Sequence, residues 1–205
     1  MGLYGGSFDP IHRGHIEPVL EARDALGLDR VLYLPTASPP HKPDRRMAPA
    51  LARLTMVELA LLSYPDLRVS PFEILAPPPT YTVATLEHMR REAPEDDLTL
   101  LIGGDSFLSL HTWHRFEELL QLAEVGVMLR PGFDRRQLDA LAGPIARAVD
   151  AGRVHFVDNR PVDASSTELR RLLAAGDPSA ARLLPAPVLS YLRKYGLYRA
   201  QTRSQ

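Results

Sequence analysis

Short β-rich runs alternate with stretches of helical periodicity along nearly the whole of this 205-residue chain, and that alternation admits few folds. Parallel strands joined by crossover helices answer to it, because each parallel strand needs a long return element. The spacing predicts strands over Gly2–Gly5, Arg30–Pro35, Leu67–Phe72, Leu98–Ile102, Val125–Leu129 and Arg153–Val157. It predicts helices over about His15–Leu26, Pro49–Tyr64, Thr82–Glu92, Trp113–Leu122 and Gln137–Val149. Two C-terminal helices, Ser166–Ala175 and Pro187–Tyr195, close the chain, the latter ended by Gly196. The expectation is a Rossmann-like α/β fold: a doubly wound parallel sheet, helices on both faces, a small C-terminal helical segment, and one domain over residues 1–205.

Composition narrows the function classes. Hydrophobic residues make up 45% and charged residues 24%, ordinary for a soluble domain with a sizeable core. No apolar run approaches the roughly 20 residues of a membrane span, and the first strand leaves no room for a signal peptide. Cysteine is absent, which excludes disulfide and thiolate chemistry and fits the cytoplasm. A net charge of −1 provides no overall basic field for nucleic acid, so any anion site must be local. Arg45, Arg46, Arg90 and Arg91 stand beside Asp44, Glu92, Glu95 and Asp96, which reads as a solvated mixed-charge face.

The first strand runs into GGSFDPIHRGH. Gly5 and Gly6 allow a tight turn, after which Ser7 and Phe8 can present backbone N–H groups to an anion. Gly14 leaves space where His15 enters a helix whose N-terminus carries unpaired N–H groups and partial positive charge. Such a junction suits phosphate. His12 and His15 add two imidazoles, but no carboxylate or third histidine stands at metal-ligand spacing. The dinucleotide fingerprint G-x-G-x-x-G is not present here, which argues against a nicotinamide-dependent dehydrogenase.

Ala164-Ser165-Ser166-Thr167-Glu168-Leu169-Arg170 forms a capping box, with Ser165 the natural cap and Glu168 three residues on. The same hydroxyls and N–H groups, with Arg170 on the first turns, could form a second phosphate clamp. Pro39-Pro40-His41-Lys42 reads equally as a solvated loop or as a lysine brought to an anion. In Pro79-Thr80-Tyr81-Thr82 either threonine could cap a helix, with Tyr81 in the core. Gly103-Gly104-Asp105 is followed by the only tryptophan, Trp113, which suits core packing or stacking on a ring. Arg130 and Gly132 follow the fifth strand. Four of these clusters, Ser7–His15, Thr36–Lys42, Gly103–Asp105 and Arg130 with Gly132, fall at the carboxyl ends of strands. Open α/β sheets bind ligands there.

GGSFDPIHRGH resembles the motif (G)GxFDPxHxGH of the HIGH-type nucleotidylyltransferases, and ASSTELR resembles their [IV]SST-x-[IL]-R. With PPHK, PTYT, IGGD, Trp113 and RPG in that order, nearly the whole chain resembles the bacterial nicotinate-nucleotide adenylyltransferases. The resemblance implies in-line transfer of AMP from ATP to nicotinate mononucleotide, without a covalent intermediate, giving deamido-NAD and pyrophosphate. It implies His12, His15 and Arg170 as catalytic residues. ATP would be bound by Gly5, Gly6, Ser7, Phe8, His12, His15, Gly103, Asp105, Ser166, Thr167 and Arg170. The mononucleotide would be bound by Lys42, Tyr81, Thr82, Asp105, Trp113 and Arg130, Trp113 stacking on the pyridine. Mg²⁺ would travel mainly on ATP oxygens, and residues of about 165–200 would complete the ATP site. Three departures stand out: Ala84 for a common Asp, Gly104 for the usual Ala, and Ala164 for a larger aliphatic. Rival readings keep the chemistry with nicotinamide mononucleotide or phosphopantetheine as acceptor. A different class would be a non-catalytic nucleotide-binding regulator.

Overall fold

The computed structural model describes residues 1–37, 47–138 and 141–199. Six parallel strands form one sheet in the order β3-β2-β1-β4-β5-β6: β1 (Gly2–Gly6), β2 (Val31–Pro35), β3 (Leu67–Val69), β4 (Thr99–Gly103), β5 (Glu124–Leu129) and β6 (Val154–Asp158). The order reverses between β1 and β4, so the connections leaving those two strands diverge and open a crevice above their carboxyl ends.

Helices cover both faces, as expected. On one face, α1 (Arg13–Ala25), α2 (Ala50–Leu61), α8 (Ser166–Ala175) and α9 (Ala186–Tyr195) bury Val19, Val57, Leu169 and Val188 against Tyr33, Leu101 and Met128. On the other, α4 (Thr82–Glu92), the short α5 (Gly104–Leu108), α6 (Phe116–Leu122) and α7 (Gly143–Asp150) bury Leu86, Phe107, Leu119 and Ile145 against Leu3, Leu100 and Ile102. Leu100, Leu101 and Ile102 alternate between the two cores, as the two-residue period of a strand requires. The C-terminal helices share their core with α1 and α2. Among the described residues no helix is long and apolar enough to cross a membrane.

The differences from the sequence reading have local causes. The third strand stops at Val69, and Phe72–Leu75 forms a short helix, α3. Pro71 has no N–H to continue a ladder, and the Ser70 hydroxyl accepts from the Phe72 N–H at 3.2 Å. The helix expected from Trp113 begins only at Phe116, because Arg115 is left-handed, with φ 53°. A 3₁₀ turn, Leu110–Thr112, precedes Trp113. The stretch read as Gln137–Val149 is a 3₁₀ turn at Arg135–Leu138 followed by α7, which Gly143 (φ 61°) and Pro144 open. The first helix starts at Arg13, two residues before the predicted position, and Pro18 lies inside it.

Candidate active site

The junction between β1 and α1 is built on an aromatic floor. Phe8 is buried, with its ring 5.6 Å from Tyr4, 5.6 Å from Tyr33 and edge-on to His15 at 5.3 Å. It holds a left-handed φ of 47°, and a Cβ on Gly6 would lie 2.9 Å from its ring, so the second glycine is a steric requirement. The Tyr33 hydroxyl donates to the His15 carbonyl at 2.8 Å. Arg53, fully buried on α2, donates to the carbonyls of Ser7 at 2.6 Å, Ala37 at 2.8 Å and Ala48 at 3.1 Å. One guanidinium therefore ties the loop after β1 to the loop after β2.

His12 is the N-cap of α1, its Nδ1 accepting from the Gly14 N–H at 3.1 Å. That bond fixes the neutral tautomer: with Nδ1 as acceptor, the proton resides on Nε2. The His12 and His15 rings lie 3.9 Å apart. Burial, reinforced by the Arg130 charge, lowers the His12 pKa to about 4. His15 is also held well below its ordinary value, by burial first and then by His12 and Arg130. Its Nδ1 is buried and has no hydrogen-bond partner among the described residues. Two imidazoles held neutral thus sit at a helix N-terminus within the field of Arg130, an arrangement whose chemistry suits an anion.

The second helix N-terminus faces the first. A Cβ on Gly14 would lie 3.2 Å from the Ala164 carbonyl and 3.0 Å from the His12 ring, so this glycine lets the two segments meet. Ser165 caps α8, accepting from the Glu168 N–H at 3.2 Å, while the Glu168 carboxylate turns to Arg171 instead of completing the box. The Ser166 hydroxyl donates to the Pro10 carbonyl at 3.1 Å. Arg170 donates to the Asp9 carbonyl at 2.6 Å and to the Thr167 hydroxyl at 3.1 Å. Ser166 and Arg170 thus also serve as ties between α8 and the first loop.

A cleft of about 560 Å³ opens beside this junction, within the range of small-molecule sites. Gly5, Gly6 and Ser7 line it together with Tyr81, Thr82 and Trp113, and Thr36, Glu73, Thr80, Thr85, Ser106 and His114 are also on its walls. Tyr81 is the N-cap of α4 and is partly exposed, its ring 4.3 Å from that of His114 and tilted by 32°; neither threonine caps the helix and Tyr81 is not in the core. Among the described residues the buried hydroxyls of Thr36 and Thr80 have no partner. Glu73 is buried, accepts from the Thr85 hydroxyl at 2.8 Å, and has its pKa pushed up to about 7 by burial.

Gly103 is the N-cap of α5 and has open space where a Cβ would stand, while Asp105 is exposed on that helix's first turn, outside the cleft lining. Lys42 lies outside the described residues. Sequence reasoning passed over Glu73, Thr85, His114, Arg53 and Tyr33. Arg53 had a signal: it precedes the apolar Met56 and Val57 by three and four residues, which puts it on the buried face of α2. Glu73 had none, since it sat in a stretch read as the end of a strand and a loop.

Residues 3–172 match the cytidylyltransferase-like family model. The chain is 42% identical to a Pseudomonas fluorescens protein over 98% of its own length and 97% of that protein's, and 42% identical to an Aeromonas salmonicida protein over the same shares. Both are described as probable nicotinate-nucleotide adenylyltransferases. Its fold is similar to that of a Plasmodium falciparum nicotinic acid mononucleotide adenylyltransferase solved in complex with NaAD (TM-score 0.73, 16% identity, 96% of each chain covered). At that identity the likeness bears on the fold alone.

Proposed function

This chain belongs to the cytidylyltransferase-like family, among the nicotinate-nucleotide adenylyltransferases, and on that footing we propose that it transfers AMP from ATP to nicotinate mononucleotide, releasing pyrophosphate. The observation that carries the reading is the continuity of the cleft: Gly5–Ser7, at the phosphate-binding junction, and Tyr81 with Trp113, at the aromatic end, line one cavity. A phosphate held at one end and a planar ring at the other are the two recognisable parts of a mononucleotide. Residues 1–205 act as one nucleotidylyltransferase unit, with the segment of about 165–200 completing the ATP side.

In the proposed reaction an oxygen of the mononucleotide's 5′-phosphate bonds to the α-phosphorus of ATP, and the bond from that phosphorus to the bridging oxygen of pyrophosphate breaks. The nucleophile is already an anion at neutral pH, so no general base is needed; the demand is for positioning and for donors to the equatorial oxygens. His15 meets the α-phosphate, and the Nε2–H of His12 the β- and γ-phosphates, beside the N–H groups of Ser7 and Phe8. The N-terminus of α8, with Ser166, Thr167 and Arg170, flanks the triphosphate. Gly103 and Asp105 border the adenosine, Trp113 stacks on the pyridine, and Arg130 and Lys42 balance phosphate charge. Mg²⁺ is carried on ATP oxygens, where it neutralises phosphate charge; imidazoles and amide N–H groups suit the oxygens left over. The hydrogen bond from the Gly14 N–H to His12 Nδ1 supports this division, because it leaves the proton on Nε2 as a donor for phosphate oxygens.

The test is a competition. With ATP and Mg²⁺, equimolar nicotinate and nicotinamide mononucleotides should yield mainly the deamido dinucleotide. A predominance of NAD would replace the acceptor, and formation of neither dinucleotide would refute the reading.

A further inference from the structure

Asp9 is almost fully buried, and its two carboxylate oxygens live differently. Oδ1 accepts from the Ala48 N–H at 3.0 Å and from the hydroxyl of Tyr198, in the turn after α9, at 2.6 Å. Among the described residues, Oδ2 is buried and has no hydrogen-bond donor. Arg170 lies 3.6 Å from it, beyond hydrogen-bond length. Arg170 spends its donors on the Asp9 carbonyl and on Thr167 instead. A buried carboxylate oxygen beside a guanidinium would ordinarily close into a bidentate pair. Here the two donors on Oδ1 hold the carboxylate in a rotation that keeps the pair open.

We propose that Tyr198 is a positioning residue for ATP: its hydroxyl, by holding Asp9 Oδ1, keeps the Asp9 carboxylate from capturing Arg170 and leaves that guanidinium available to the triphosphate. The proposal rests on the adenylyltransferase reading and adds to it a role for the C-terminal turn. Without the hydroxyl, Oδ1 loses one of two donors and the carboxylate is free to rotate. Asp9 then completes its hydrogen bonding from Arg170, and the arginine is drawn into the protein. Arg53 is held elsewhere, its Nε, Nη1 and Nη2 each donating to a backbone carbonyl.

The experiment is Tyr198→Phe, which keeps the ring and removes one oxygen, with ATP binding followed by titration calorimetry and turnover by pyrophosphate release. Affinity for ATP should fall about tenfold, the worth of one charge-assisted hydrogen bond, while the KM for the mononucleotide and the melting temperature stay close to wild type. In an Arg170→Ala background the same substitution should leave ATP affinity unchanged, since there is no guanidinium to withdraw. Asp9→Asn, which removes the capturing charge, should likewise abolish the effect of Tyr198→Phe. Wild-type ATP affinity in Tyr198→Phe, equal weakening of both substrates, or an undiminished effect without Arg170 would overturn the proposal. Failure of the wild-type protein to bind ATP at all would instead refute the adenylyltransferase reading.

Discussion

The His12 and His15 rings lie 3.9 Å apart, tilted by 34°, with both imidazoles held neutral, one capping α1 and the other holding a nitrogen that has no partner among the described residues. The arrangement is costly to protonate and ready to receive negative charge. For His12 the folded value, about 4, lies below the unfolded 6.5, so below pH 6.5 the unfolded chain binds more protons. Stability from this group is full above pH 6.5 and is lost as pH falls towards 4. His12→Gln, which cannot titrate, should show a denaturation midpoint that declines less than wild type over this window. Parallel pH profiles would contradict the assignment.

A triphosphate bound as proposed would supply a counter-charge and raise both imidazole pKa values. At pH 5.5 ATP binding should therefore take up protons, and at pH 8 much less. Calorimetry in buffers of different ionisation enthalpy reads the uptake directly, and proton release at pH 5.5 would remove the histidines from the phosphate site.

On the proposed reading, His15→Ala removes a donor to the α-phosphate. Turnover should drop by roughly 10²-fold or more, by analogy with the loss of one oxyanion donor. A variant that melts cooperatively and turns over near the wild-type rate would take His15 out of the mechanism.

The buried Glu73 carboxyl gives a stability signature of opposite sign. Its folded pKa of about 7 stands above the unfolded 4.5, so its favourable contribution is complete below pH 4.5 and disappears as pH rises through 7. Glu73→Gln keeps an acceptor for the Thr85 hydroxyl and cannot ionise. It should be more stable than wild type at pH 8, by up to about 3 kcal/mol, and no more stable at pH 4. Urea denaturation at the two pH values checks this; a pH-independent difference would mean that the carboxyl does not titrate in the cleft.

Gly104 answers to Phe133. A Cβ there would lie 2.6 and 2.8 Å from the Phe133 ring and 3.3 Å from Leu129. Gly104→Ala should lower stability by about 1–3 kcal/mol through overpacking, and the loss should largely vanish in a Phe133→Ala background. Thermal denaturation of the four proteins measures the coupling, and additive losses would show that the ring is not the obstacle.

The same pair shows what a sequence can and cannot disclose. Gly104 was visible as a departure from its relatives, but its cause lies 29 residues away, after another strand, and only the fold brings them together. The sheet, the helix faces and the Ser165 cap were legible because period, turn residues and capping pattern are local. The ends of the third strand and of the sixth helix were not, because Pro71 and the left-handed Arg115 interrupted otherwise continuous patterns. At the site, the phosphate loop was legible as a motif. Its supports were less so: the helix period put Arg53 on a buried face, but its backbone partners, like the Asp9 carboxylate that Tyr198 meets, lie far away in the chain.

The central claim is that the phosphate junction and the aromatic cleft serve one reaction, and the stoichiometry of pyrophosphate release tests it most directly. With ATP and Mg²⁺ in excess, nicotinate mononucleotide should trigger release of one pyrophosphate for each mononucleotide consumed, with none in its absence. Mononucleotide-independent cleavage of ATP, or no release on its addition, would contradict the account.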